Sequence, residues 1–446
     1  SGTDLAGNTG TTITSGGTFA IDTTPPTVSS VVRANSAVAL TTGASAPVFT
    51  VTFSESVSGV TTANFTVNAG SGIGETAPTV ASVTGSGTTW TVTLGVTGTT
   101  GDYGSNTNAT LGLTVVPASN AIDAAGNALA SATVSGTNES YNLDTTSATV
   151  TGVTSTLADG SYKAAQSVPV TVTFTEPVTV VTTGGTPQLT LTTGSSATTP
   201  VNYTSGSGTT VLTFTYTVAS GDTSADLDYA ATTSLALNSG TIKDAAGNDA
   251  TLTLASPGAS GSLGNAKALI IDTTAPTVSS IVRASSAAAL TQGTSAPVFT
   301  VTTSESVTGL VAANFSVNAG AGIGGTSPTI ASVTGSGTSW TVTLGVTGTT
   351  GNYGTTSTAT LGLTVVPGGA SVTDAAGNAL ASATVSGSNQ SYNLDTTAPT
   401  AAVTYSANRT VKSGETLTIT ATFNEAMTTA PTIALSGTNT VAATAM

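Results

Sequence analysis

Along this chain, short stretches of alternating apolar and polar residues are separated by clusters of glycine. In Pro47-Val48-Phe49-Thr50-Val51-Thr52-Phe53-Ser54 the apolar positions are 49, 51 and 53 and the polar ones 50, 52 and 54, the pattern of a strand with one buried face. The same alternation runs through 64–68, 88–94, 110–115 and 140–143, and further strands are expected over 28–32 and near 80–83. Glycines at 70–74, 85–87 and 98–104 break the runs into turns.

Seven short strands with turn-rich spacing predict a two-sheet sandwich of immunoglobulin type, here without a cysteine pair. Trp90 and Trp340 each fall in a strongly alternating strand, which predicts core packing for both.

The pattern recurs. Asp-Thr-Thr appears at Asp22, Asp144, Asp272 and Asp395, at intervals of 122, 128 and 123 residues, each long enough for one sandwich. Asp-Ala-Ala-Gly-Asn lies inside each interval, at 123–127, 244–248 and 374–378, and a variant, Asp4-Leu5-Ala6-Gly7-Asn8, opens the chain. The expected organisation is all-β, with tandem immunoglobulin-like β-sandwich domains in a linear array. Residues 1–21 are the closing part of one repeat, 22–143, 144–271 and 272–394 are whole repeats, and 395–446 begin another. The first and third whole repeats are sisters: 45–52 is identical to 295–302, and 90–101 to 340–351. The second differs in its middle and shares the spacing of Lys163, Phe174 and Glu176 with Lys412, Phe423 and Glu425, so a two-domain super-repeat is expected. Pro25, Pro26, Pro276 and Pro399 stiffen linkers that have almost no slack.

Composition narrows the chemistry. Charged residues make up 6% of the chain, and neither histidine nor cysteine occurs. Their absence removes the histidine general base, the Ser-His-Asp triad, the cysteine nucleophile and thiolate zinc sites, leaving carboxylate chemistry alone. The net charge is −14, and the seven basic residues are scattered singly, which argues against nucleic acid and against docking on an anionic membrane. No window approaches eighteen consecutive apolar residues, so no direct membrane insertion is expected of this segment.

The acids are placed periodically. Twelve of the 21 fall at three recurring positions: the linker Asp, the first Asp of the five-residue phrase (Asp4 included), and a Glu two residues past the last inward position of an alternating strand. Between the sister repeats Asp102 becomes Asn352 and Glu75 becomes Gly325, whereas Asp22, Glu55 and Asp123 correspond to Asp272, Glu305 and Asp374. In a seven-strand sandwich the second and sixth strands end at the pole where the linker enters. Glu55 is therefore expected in the loop after the second strand and Asp123–Asn127 in the loop after the sixth, both beside Asp22.

Three converging carboxylates repel unless they are protonated or bridged by a cation, and calcium takes six to eight such oxygens. One reading is a calcium ion at each junction. It would be held by Asp22, Glu55, Asp123 and Asn127, by Asp144, Glu176, Asp244 and Asn248, and by Asp272, Glu305, Asp374 and Asn378, with Asp395 and Glu425 opening a fourth site. The other reading is a plain turn whose Asp accepts backbone hydrogen bonds, with the remaining acids solvating the pole. Weaker signals are the glycosylation triplets at Asn64, Asn108, Asn202 and Asn408, and an acidic loop at Asp222, Asp226 and Asp228 that reads as solvated.

Together, Phe-Ser-Glu-Ser, Asp-Ala-Ala-Gly-Asn and Asp-Thr-Thr-Ala-Pro-Thr at domain-length spacing resemble the bacterial Ig-like tandem repeats of giant secreted adhesins and cell-surface fibre proteins. The resemblance covers nearly the whole chain. It implies an extended extracellular protein on a bacterial surface and, as in several members, calcium at domain junctions. The expected role is a rigid stalk or fibre, structural or adhesive and not enzymatic. Its partners would be the neighbouring repeats and, through lateral or filament assembly, other copies. The alternative is a module that binds glycans or proteins through exposed sandwich loops.

Overall fold

The computed structural model describes residues 2–9, 19–34, 39–41, 46–70, 73, 78–95, 109–194, 197–284, 289–290, 296–321, 323, 328–345, 359–366, 372–381, 384–435 and 441–445. The glycine-rich turn expected over 98–104, and Asn108, lie outside them. Strands dominate throughout, as the alternation requires. Two compact units emerge: Ser1–Gly160 with Ala165–Val218 and Asp222–Ile271, and Ser161–Ala164 with Ala219–Gly221 and Asp272–Met446.

In the first unit, the strands Val28–Arg33, Val48–Val57 and Thr79–Gly95 form one antiparallel sheet. Ala39–Leu40, Tyr141–Leu143, Ala109–Val115 and Phe65–Ala69 form the other, in that order. Residues 79–95 double back near Gly85, because Thr79 Oγ1 donates to the carbonyl of Gly95 at 3.4 Å. The separate strands expected near 80–83 and 88–94 are therefore the two arms of one hairpin. Ala39–Leu40, which runs parallel to Asn142–Leu143, is too short to leave a periodic signal. Asn64 closes a single 3-10 turn, Thr62–Asn64, ahead of the strand instead of starting it.

The inward faces of both sheets make one core of Phe49, Val51, Phe53, Val92, Leu94, Leu111, Leu113 and Tyr141 with their neighbours. Tyr141 meets Phe49 edge-on at 5.2 Å between centroids, and its hydroxyl donates to the carbonyl of Val48 at 2.7 Å. Trp90 is 9% exposed and donates Nε1–H to the Gly87 carbonyl, so both tryptophans, Trp340 with its bond to Gly337 included, are core residues.

The first unit also holds most of the second repeat. Its larger sheet is centred on Ser167–Val181, which pairs with Val150–Ser155, Thr209–Thr217 and Thr241–Asp244. In the second unit, Val278–Arg283, Val298–Val307 and Thr329–Gly345 form one sheet. Ala289–Leu290, Tyr392–Leu394, Ala359–Val365 and Phe315–Ala319 form its partner, repeating the first sandwich strand for strand. Phe299 and Tyr392 reproduce the edge-on pair at 5.3 Å. The hairpin partners Ala401–Tyr405 and Ile419–Phe423 follow.

One expectation about position is corrected. Glu55, Glu176 and Glu305 do not lie in loops: the strands Val48–Val57, Ser167–Val181 and Val298–Val307 run through them. Each Glu keeps the inward phase of its strand. Phe53 and Val57 flank Glu55 at i−2 and i+2 and are buried, as are Phe174 and Val178 around Glu176. Glu425 alone lies in a bend beyond its strand.

Candidate metal centre

Each five-residue phrase folds on its own Asp. Asp123 Oδ1 accepts from the backbone N–H groups of Ala125 and Asn127, both at 2.8 Å, and Oδ2 accepts from Asn127 Nδ2 at 2.8 Å. Asp244 and Asp374 are bonded alike by Asn248 and Asn378, but their second amide donor is the glycine, Gly247 or Gly377, one residue later than in the first loop. The chain turns at the glycine, whose φ is +90° in Gly126, +105° in Gly247 and +89° in Gly377, a region open to glycine at no steric cost. At the start of the chain Asp4 makes the same bonds with Ala6 and Asn8 while fully exposed. The turn is thus self-organising, and it accounts for the local shape without an ion.

It does not account for what the turn is brought against. Ser58 and Ile122 exchange backbone hydrogen bonds at 2.8 and 3.1 Å, setting the Asp123 loop beside the strand that carries Glu55. Thr308 and Thr373 do the same in the third repeat, and the register Val178↔Asp244 does it in the second. The linker is pinned to that same strand. Thr27 N–H donates to Ser54 Oγ at 2.9 Å and Ser54 N–H returns to the Thr27 carbonyl at 2.9 Å. Thr149 with Thr175, and Thr277 with Ser304, repeat the exchange.

Three groups of acids result: Asp22, Glu55 and Asp123; Asp144, Glu176 and Asp244; Asp272, Glu305 and Asp374. Within each, one carboxylate oxygen from every residue lies within 4.8 Å of the others. The loop Asp is the buried member, with Asp123 4% exposed, Asp244 3% and Asp374 6%. Asn127, Asn248 and Asn378 enter chiefly as donors: each Nδ2 also bonds the linker carbonyl of Asp22, Asp144 or Asp272, at 2.9 to 3.0 Å. Asp395 Oδ1 accepts from the Thr397 N–H, as Asp22 does from Thr24 and Asp272 from Thr274, and Glu425 Oε1 is buried with no hydrogen-bond partner, but neither belongs to a group of three acids among the described residues.

The electrostatics fit the crowding. Burial first, then the charges of Asp22 and Asp123, push the Glu55 carboxyl above its ordinary range. Glu176 is raised by burial, Asp144 and Asp244, and Glu305 by burial, Asp272 and Asp374. Asp123 is also pulled upward by burial, yet the donors from Asn127, Ala125 and Gly126 together outweigh it and hold that carboxyl low. The first cluster therefore pairs an Asp kept ionised with a Glu that resists ionising, and the Glu of each other cluster resists ionising likewise. A donor set of three carboxylates with backbone carbonyls nearby is all hard oxygen, the chemistry suited to calcium or magnesium and not to softer metals.

Sequence reasoning missed the clamp residues Ser54, Thr175, Ser304 and Asn424. A short oxygen-bearing side chain precedes the Glu in every repeat, and Thr400 N–H donates to Asn424 Oδ1 at 2.7 Å in the last. Two weaker signals resolve differently. Asn64 is fully buried and bonds Thr61 N–H, which removes it as a glycosylation site. In the acidic loop, Asp222 accepts from the Tyr216 hydroxyl at 2.5 Å, Asp228 from the Tyr229 and Gly258 amides, and Asp226 from the backbone of Leu269, so all three acids have structural partners.

No family model matches the sequence, and no curated protein matches it. Among solved structures the chain is similar to FdeC, an adhesin of Escherichia coli, at 14% identity and a TM-score of 0.31, over 82% of this chain and 96% of that one. It is also similar to the N-terminal part of the bacterial S-layer protein SbsC, at 16% identity and a TM-score of 0.16, over 49% of this chain and 43% of that one. A longer SbsC structure gives 14% identity and a TM-score of 0.15, covering 94% of this chain and 66% of the other.

Proposed function

We propose that this chain is a structural segment of a bacterial surface protein, a stalk or fibre of tandem sandwiches whose junctions are stiffened by calcium. The observation that carries this reading is the threefold recurrence of one cluster, in which the Asp of a linker meets a Glu and an Asp on the pole of the sandwich that follows. A cation bridging them would fix the linker to that pole and remove a hinge. Asp22, Glu55 and Asp123, with their counterparts in the two other clusters, would hold the ion, and Asn127, Asn248 and Asn378 would hold the loop and linker for it. Calcium would supply only charge and coordination, so the role is mechanical and not catalytic.

Scanning calorimetry and small-angle scattering of the whole chain, in chelator and in millimolar calcium, test the reading. Calcium is expected to raise the unfolding temperatures and to narrow the range of conformations in solution. Identical thermograms and scattering profiles with and without calcium would sink it.

A further inference from the structure

The seven basic side chains are few enough to trace one by one, and all belong to described residues. Arg33 and Arg283 reach the carbonyls of Ser140 and Ser391, Lys267 that of Leu157, and Arg409 pairs with Glu415. Two of the other three end on the equivalent atom of two different loops. Lys243 Nζ donates to the Gly247 carbonyl at 3.2 Å and to Asp249 Oδ1 at 2.6 Å. Lys163 Nζ, in the segment Ser161–Ala164 that packs within the second unit, donates to the Gly377 carbonyl at 2.8 Å.

The two lysines arrive by unrelated routes. Lys243 directly precedes the Asp of its own loop, whereas Lys163 lies 214 positions from its acceptor. The corresponding carbonyl, that of Gly126, has no such donor: none of the seven basic side chains bonds the loop 123–127 among the described residues. An ammonium on a carbonyl is a charge-assisted bond, added to the amide-to-carboxylate bonds that close the turn. Its positive charge also offsets the repulsion that a loop Asp feels from two neighbouring carboxylates.

We propose that Lys163 and Lys243 are positioning residues, resident ammonium groups that hold the loops 374–378 and 244–248 closed when no cation is bound. The loop 123–127, lacking one, depends on the cation for the same order. That last consequence rests on the calcium reading; the lysine effect does not.

Hydrogen exchange of the complete chain, read by mass spectrometry over the three loops, tests both halves. The Gly247 and Gly377 amides donate to Asp244 and Asp374 and so report loop opening. In chelator, the second and third loops are expected to exchange about tenfold more slowly than 123–127, the effect of one charge-assisted hydrogen bond. Lys163→Met should bring 374–378 to the rate of 123–127 and leave 244–248 unchanged, Lys243→Met should do the converse, and Lys→Arg at either position should restore protection. Unchanged rates in both Met variants, or both loops responding to either one, would overturn the proposal. Calcium should slow 123–127 most. If calcium slows none of the loops while the lysine variants act as described, the calcium reading fails and the positioning role stands.

Discussion

Asn127 Nδ2 donates to the main-chain carbonyl of Asp22 at 3.0 Å, joining residues 105 positions apart where the chain enters the sandwich. The same nitrogen bonds Asp123 Oδ2, so one amide fastens linker and loop together before any ion is considered. Its counterpart Asn248 is the most buried of the three and bonds both Asp144 and Asp244. Replacing Asn248 with Ala leaves a buried carboxylate short of a donor, with an expected cost of about 2–3 kcal/mol. Calorimetry of the full chain should show one transition lowered and the others unmoved.

The sister repeats offer a matched pair. Tyr141 and Tyr392 are fully buried, and their hydroxyls donate to the carbonyls of Val48 and Val298 at 2.7 and 2.8 Å. Tyr141→Phe and Tyr392→Phe each remove one of two hydrogen bonds to that carbonyl, which keeps the amide of Ala34 or Ala284, at an expected cost of about 0.5–1.5 kcal/mol apiece. Because the immediate partners match, Phe49 and Arg33 around Tyr141 as Phe299 and Arg283 around Tyr392, the two losses measured by denaturant unfolding should agree closely.

Much of this was legible in the sequence because it depends on period. Phe49, Val51 and Phe53 alternate, and alternation on a half-buried sheet determines which face each side chain takes. The five-residue phrase was legible for a different reason: Asp, Gly and Asn each do local work within one turn. What could not be read was where a strand stops. Glu55 looked like the first residue of a loop because a carboxylate ends the apolar run, yet Ser58 finds backbone partners on Ile122 and the strand continues. Ser54 went unnoticed because a lone serine in a serine-rich chain has no pattern, and only its bond to Thr27 gives it a role. Ala39–Leu40 is held by tertiary pairing alone.

If the clusters hold calcium, the Glu is the ligand whose removal separates binding from folding. Glu55, Glu176 and Glu305 lie among like charges and are raised by burial and by two Asp neighbours each. The triple substitution Glu55→Gln, Glu176→Gln, Glu305→Gln should therefore raise the unfolding temperature in chelator at neutral pH while abolishing any increase caused by calcium. A variant that gains no stability in chelator would show that these carboxylates do not repel, and one that still responds to calcium would show that they do not coordinate.

The pH dependence follows from the same three residues, with its sign fixed by which state holds the proton more tightly. An isolated Glu titrates at 4.5, and the folded chain raises Glu55, Glu176 and Glu305 above that, so the native state binds protons that the unfolded state has released. Their contribution is fully present below pH 4.5 and is lost as pH rises through the folded values. In chelator the chain should therefore become more stable on going from pH 7 toward pH 4.5. Asp123 opposes this only at lower pH, since its carboxyl is held under its ordinary 3.8 and its stabilising bonds are lost as it protonates. Calcium should reverse the trend, because the cation competes with the proton: its stabilisation should be greatest at neutral pH and fade as the Glu carboxyls protonate. Thermal scans across that range, with and without calcium, should give curves that converge at acid pH and diverge toward neutrality, and parallel curves would argue that the clusters bind no cation.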